Sequence, residues 1–201
     1  MNNSIVVSSP ARSGNNFLHF MIDTYIKKNN LNYDLSKGIN HDPNLLLSDK
    51  YSKCLTIIRN PKDAFLSSLI YSYEKEGVKK VDKQAEVFKI NYMPFLTNLK
   101  NGDKAYYIMF NDMTTDINNI IYKIFYPLDN NCPKPNLNTE ALLKEWRHPL
   151  KNNIYKSPVH SKDDNKDLKA EFLSKIDHIS FIDVENEIVN LLGSYPQKRI
   201  Q

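Results

Sequence analysis

The residues best suited to chemistry stand together near the start of the chain, in Ser8-Ser-Pro-Ala-Arg-Ser-Gly-Asn-Asn16. They lie between a β-branched run and an amphipathic segment. A loop that leaves a strand and opens a helix presents unbonded backbone N–H groups and the positive end of a helix dipole, and the two together attract an anion. Gly14 lets the backbone approach a phosphate closely, and Arg12 sets a cation inside the loop. Read alone, the segment fits both a phosphate site and a plain strand–helix turn.

Its register can be set against the nucleotide-hydrolase pattern G-x-x-x-x-G-K-[ST]. Gly14 holds the second glycine, Ser9 stands at the first, and Asn15 and Asn16 replace the lysine and the Mg²⁺-binding hydroxyl. Without those two groups a grip on a Mg²⁺-bound γ-phosphate is disfavoured, which argues against an ATP-dependent small-molecule kinase.

The loop's position depends on the elements around it. Ser4 to Ser9 reads as a buried strand. Phe17, Leu18, Met21, Ile22, Tyr25 and Ile26 share one face of a helix from about Asn15 to Lys28. Cys54 to Ile58 is a second strand, stopped by Arg59-Asn-Pro-Lys-Asp63. There Asn60 suits an N-cap, Pro61 the first helical position and Asp63 the first turn. The helix that follows buries Phe65, Leu66, Leu69, Ile70 and Tyr73, and another spans Val81 to Lys100 before the Asn101-Gly102 stop. Ala105 to Phe110 reads as a third strand and Asp116 to Phe125 as a helix. Further helices are expected near 139–147, 167–175 and 184–192, with a polar stretch over 151–165. Strands alternating with helices imply an α/β fold, a parallel sheet with helices on both faces. A chain of 201 residues without repeats implies a single domain.

Composition narrows the partners. A net charge of +4, scattered along the chain, suits a phosphorylated ligand and gives no basis for a nucleic-acid partner. No apolar run reaches membrane-spanning length and no signal-like N-terminus is present, so a soluble cytoplasmic protein is expected. Cys54 and Cys132 read as free thiols. No Cys, His or acidic spacing suggests a zinc site, and no metal is expected.

Taken together, two segments carry a family resemblance. Pro10-Ala-Arg-Ser-Gly-Asn-Asn-Phe-Leu18 resembles the 5′-phosphosulfate loop, roughly P-K/R-S-G-T-T-W-L, of sulfotransferases that use 3′-phosphoadenosine 5′-phosphosulfate (PAPS). Arg59-Asn-Pro-Lys-Asp63 with Ser67 resembles their 3′-phosphate motif, R-N-P-K-D with a serine eight residues after the arginine. Between them, Asn40-His-Asp-Pro-Asn-Leu-Leu46 fits the K-x-H-x-P-x-x-L segment that carries the catalytic histidine of cytosolic members. Ile108 to Met113 looks like their strand ending in Y-E-D-L/M. The matches cover about the first 125 residues. Departures are the two asparagines for threonines, Phe17 for tryptophan, Phe110 for tyrosine, and no R-K-G-x-x-G-D-W-K element. Lys156-Ser157 and Ser161 to Asp164 are the nearest substitutes for that element.

The resemblance implies a nucleotide-hydrolase-like fold over residues 1–201. It also implies transfer of a sulfuryl group from PAPS to a hydroxyl or amine of a small-molecule or carbohydrate acceptor, leaving 3′,5′-ADP. Arg12 would then meet the 5′-phosphate and stabilise it as sulfate departs, with Ser13, Gly14, Asn15 and Asn16 completing the cradle. Arg59 and Ser67 would hold the 3′-phosphate. His41 would serve as general base. Asp42 or Asp112 could orient it, which sequence alone does not show. Phe17 is equally suited to adenine stacking and to core packing. A nucleotide-binding module without turnover is the alternative of another class.

Overall fold

The computed structural model describes residues 3–36, 40–76, 80–147 and 166–201. Four strands, β1 (Ser4–Val7), β2 (Asp34–Leu35), β3 (Lys53–Ile58) and β4 (Ala105–Met109), form one all-parallel sheet in the order β2-β1-β3-β4. Every residue of β1 and β3 is buried, as expected of parallel strands covered on both faces. Helix α1 (Asn15–Lys28) connects β1 to β2. Helices α2 (Pro61–Glu76) and α3 (Val81–Asn101) connect β3 to β4. After β4 come α4 (Phe110–Thr115), α5 (Ile117–Phe125), α6 (Thr139–Arg147), α7 (Lys166–Ile176) and α8 (Ile182–Ser194).

The period of two along the strands divides the core. Val6, Cys54, Ile58 and Tyr107 pack with Phe65, Phe88, Phe172 and Val184, under α2, α3, α7 and α8. Ile5, Leu55, Ile57 and Ile108 pack with Leu18, Tyr25, Ile121 and Phe125, under α1 and α5. Neighbouring strands β1 and β3 therefore send the chain to opposite faces of the sheet. The crevice between their carboxyl ends is a topological switch point, where open α/β sheets bind ligands.

Local chemistry sets the ends of these elements. Asn60 Oδ1 accepts the Asp63 N–H at 3.0 Å, the N-cap the sequence predicts for α2. A Cβ on Gly102 would lie 2.1 Å from the Leu46 carbonyl oxygen, so glycine is needed there for close approach. Lys198 Nζ donates to the carbonyls of Leu99, Lys100 and Gly102 at 2.7–3.0 Å, closing the end of α3. Ile200 N donates to Tyr107 O at 2.9 Å, so the final residues cover the outer edge of β4.

The α/β class, the parallel sheet and the helices on both faces match the sequence expectation. Two details differ. The two-residue strand β2 falls where the sequence suggested only a polar connection. The third strand ends at Met109, because Phe110 begins α4. The polar stretch 151–165, with both substitutes for the missing C-terminal element, lies outside the described residues. Among the described residues no helix is long and apolar enough to cross a membrane.

A candidate anion site at the carboxyl ends of β1 and β3

The loop leaving β1 is fixed from below by its own serines. Ser8 Oγ donates to Asp42 O at 2.7 Å, and Ser9 Oγ accepts the Ile57 N–H at 2.7 Å. Ser9 thus has a definite task where a hydrolase loop would carry glycine: its buried hydroxyl takes up a β3 backbone donor. The chain then turns through two left-handed residues, Arg12 (φ 63°) and Gly14 (φ 103°). For Arg12 this conformation costs roughly 1–2 kcal/mol, while glycine adopts it freely.

Helix α1 starts on Gly14 with no side-chain cap. Leu18 N bonds back to Gly14 O at 3.1 Å, and the first N–H groups of any helix have no intrahelical carbonyl to bond. The Ser13 hydroxyl is buried at the same place without a partner, as are the amide oxygens of Asn15 and Asn16. A buried polar atom left unbonded costs about 1–3 kcal/mol. An anion's oxygen would satisfy Ser13 directly, whereas an amide oxygen would repel it. A half-turn of the Asn16 amide would present Nδ2 in that position. Asn15 is held by donating Nδ2 to Asn40 O at 2.8 Å, so its part is to position the loop.

Arg12, Arg59 and Ser67 come together across the crevice. Arg12 Nε donates to Ser67 Oγ at 3.3 Å, and its guanidinium lies 4.7 Å from the centre of the Tyr71 ring, one turn further along α2. Arg59 NH1 donates to Arg12 O at 3.0 Å, and its guanidinium stacks 4.4 Å above Phe110. Tyr92 holds the Arg59 backbone from both sides, donating to its carbonyl at 2.8 Å and accepting its N–H at 3.2 Å. Burial pulls the Arg59 pKa below the usual arginine value, with Asp63 and Tyr92 opposing the shift. Among the described residues no carboxylate pairs with Arg59, and one of its five N–H donors is in use. A cation withdrawn from water and still short of partners favours an anion beside it.

His41 is exposed beside the same loop, tied by Nδ1 to Ser9 O at 2.7 Å. Because a carbonyl oxygen only accepts, Nδ1 carries the proton and Nε2 is the basic nitrogen. The two candidate orienters are engaged elsewhere. Asp42 caps the 3₁₀ turn over Pro43–Leu47 by accepting Asn44 N at 2.9 Å, and Asp112 accepts from Arg199 NH2 at 2.9 Å. The backbone carbonyl of Ser9, and neither of these carboxylates, is what holds the His41 ring.

Phe17 is 9% exposed and belongs to the core beneath α1. Packing is the role the structure gives it, and any stacking on a base would draw on the ring's small exposed edge. Tyr92, the stacking role of Phe110 and the contact of Tyr71 with Arg12 are not singled out by the sequence. Its four-residue spacing from Ser67 was the one available signal for Tyr71. Among the described residues no group of three or more His, Cys, Asp or Glu side chains could hold a metal ion.

Fold and geometry define an α/β protein with an anion-competent loop at a switch point. Compared with models of known protein families and with curated proteins, the chain matches none of either.

Proposed function

We propose that the protein is a cytoplasmic PAPS-dependent sulfotransferase built on a nucleotide-hydrolase-like fold. Arg59 is the observation that carries this reading: half-buried, stacked on Phe110, in no ion pair with a carboxylate among the described residues, and one bond away from the loop that holds Arg12. One anion at the α1 N-terminus and a second at Arg59 would match a ligand with 5′ and 3′ phosphates.

In this reading the acceptor oxygen attacks the sulfur while its proton passes to His41 Nε2. The bond from sulfur to the 5′-phosphate oxygen breaks, and 3′,5′-ADP leaves with both electrons of that bond. Arg12 and the first-turn N–H groups of α1 stabilise charge on the departing phosphate. Arg59 and Ser67 hold the 3′-phosphate, which fixes the nucleotide for in-line transfer. In the free protein Arg12 Nε donates to Ser67 Oγ at 3.3 Å, a bond that the two phosphates replace with charged ones. No step requires a metal.

Thermal denaturation with added nucleotides tests the proposal. A ligand at 100 times its Kd stabilises by about 2.7 kcal/mol, a rise of roughly 5–10 °C in Tm for a chain this size. 3′,5′-ADP should produce that rise and ATP–Mg²⁺ should not. The reverse order favours the kinase.

A further inference from the structure

Helix α4 touches both halves of the candidate site. It follows β4 directly, and its first residue, Phe110, sets its ring against the Arg59 guanidinium at 4.4 Å. The same ring comes up to the phosphate loop: a Cβ on Gly14 would lie 3.2 Å from Phe110 Cδ2 and Cε2, and 2.8 Å from Met113 Cε. Phe110 and Met113 stand three residues apart, so one face of α4 meets the loop. In a close-packed contact of this kind, a displacement of α4 is felt at Gly14 and at Arg59 together.

A helix of six residues is not held by its own hydrogen bonds, so tertiary contacts must fix it. Met113 supplies one, buried to 1% exposure. Asp112 supplies another. Arg199 Nε and NH2 both donate to Asp112 Oδ2, at 3.3 and 2.9 Å, and the two side chains keep only 31% and 29% of their surface exposed. Such a forked, partly shielded pair is stiffer than an exposed one. Arg199 is itself anchored on both sides. Lys198 is tied to three carbonyls at the end of α3, and Ile200 N donates to Tyr107 O while its side chain enters the core under α1 and α5. The bridge between Arg199 and Tyr107 sets the arginine backbone alongside β4, the strand that leads into α4.

We infer that Arg199 and Asp112 are positioning residues for the anion site: their ion pair fixes α4, and α4 sets the Phe110 ring against both Arg59 and the Gly14 loop. Neither residue needs to touch the ligand. Their effect is on the placing of Arg59 relative to the α1 N-terminus, which a ligand with two phosphates reads and a misplaced pair of seats would not match. The inference rests on the sulfotransferase reading only for the choice of 3′,5′-ADP as that ligand. The hold of the pair on Phe110 and Arg59 rests on the geometry alone.

Calorimetry and NMR on the whole protein test it. Arg199→Leu and Asp112→Leu should each weaken 3′,5′-ADP by about 3–10-fold, and the double variant should be no weaker than either single one, because the two residues act as a unit. Arg199→Lys, which keeps the charge, should recover part of the loss. Lys100→Met breaks the Lys100–Glu187 pair between α3 and α8, which is at least as well shielded, and should keep affinity within about twofold of the wild type. With no ligand present, the Arg59 side-chain N–H signal, assigned by its loss in Arg59→Lys, should lie upfield over the Phe110 ring and move downfield in Arg199→Leu. An Arg59 signal that does not move, or 3′,5′-ADP affinity that stays at the wild-type value, overturns the inference. So does a loss in Lys100→Met equal to that in Arg199→Leu, or a double variant weaker than both single ones. Should Arg199→Leu not fold, Asp112→Asn removes the charge at constant size and carries the same expectations. If the Arg59 signal moves as expected but the wild type binds no 3′,5′-ADP, the positioning role stands and the sulfotransferase reading fails.

Discussion

Gly14→Ala tests how the anion loop is built. The residue sits at φ 103°, and an added Cβ would lie 2.8 Å from Met113 Cε and 3.2 Å from the Phe110 ring. Holding alanine in a left-handed conformation costs roughly 1–2 kcal/mol. Forcing a methyl group against packed neighbours adds about 1–3 kcal/mol. The two sum to about 2–5 kcal/mol, which lowers Tm by roughly 4–20 °C in a chain of this length. Met113 ends in a flexible thioether methyl, so Met113→Ala should remove part of the steric cost and leave the backbone cost. Scanning calorimetry on the two single variants and the double variant separates these parts. In the Met113→Ala background the substitution should cost about 1–2 kcal/mol more cheaply. A Gly14→Ala variant that melts within 2 °C of the wild type would refute the described loop geometry. An identical cost with and without Met113 would refute the contact.

Two further perturbations address chemistry and electrostatics. His41→Ala should lower sulfuryl transfer by ~10²–10⁴-fold, the usual contribution of a general base, and leave 3′,5′-ADP affinity unchanged; retained turnover removes His41 from the mechanism. Lys53 is buried, with Nζ donating to the α5 carbonyl of Ile124 at 2.7 Å, and burial pushes its pKa down to about 8. Its folded pKa lies below the unfolded value, so above pH 8 the unfolded chain binds more protons and this group's contribution to stability grows with pH. Cys54, pushed up by burial to about 11, acts in the opposite sense above pH 9. Comparison with Lys53→Met cancels the cysteine. Relative to that variant, the wild type should gain about 1 kcal/mol between pH 8 and 9 in urea denaturation. Parallel curves would mean that Lys53 titrates normally.

The parts of the fold visible in the sequence are those that local patterning specifies. β1 and β3 are short β-branched runs that packing requires on both faces. The start of α2 is written in Asn60, Pro61 and Asp63. β2 was not visible, because an edge strand of two residues needs only a pair of backbone bonds and leaves no periodic signal. Phe110 continued an apolar run, yet it belongs to α4, where its ring supports Arg59. Those contacts join residues 33 to 55 positions apart, such as Arg59 with Tyr92 and Arg12 with Ser67. No local rule specifies them. The spacing of Arg59 and Ser67 pointed to a shared site only through resemblance to a known motif. The tether of His41 to the Ser9 carbonyl depends on the loop's course and could not be read at all.

Whether Arg59 holds a 3′-phosphate is decided by titration calorimetry of 3′,5′-ADP and AMP against the wild type and Arg59→Ala. A charged hydrogen bond of about 1.5–3 kcal/mol corresponds to a preference of roughly 10–150-fold for 3′,5′-ADP in the wild type. The wild type should show that preference, and Arg59→Ala should erase it while AMP affinity changes little. Equal affinity of the wild type for the two nucleotides, or a preference that survives in Arg59→Ala, would contradict it.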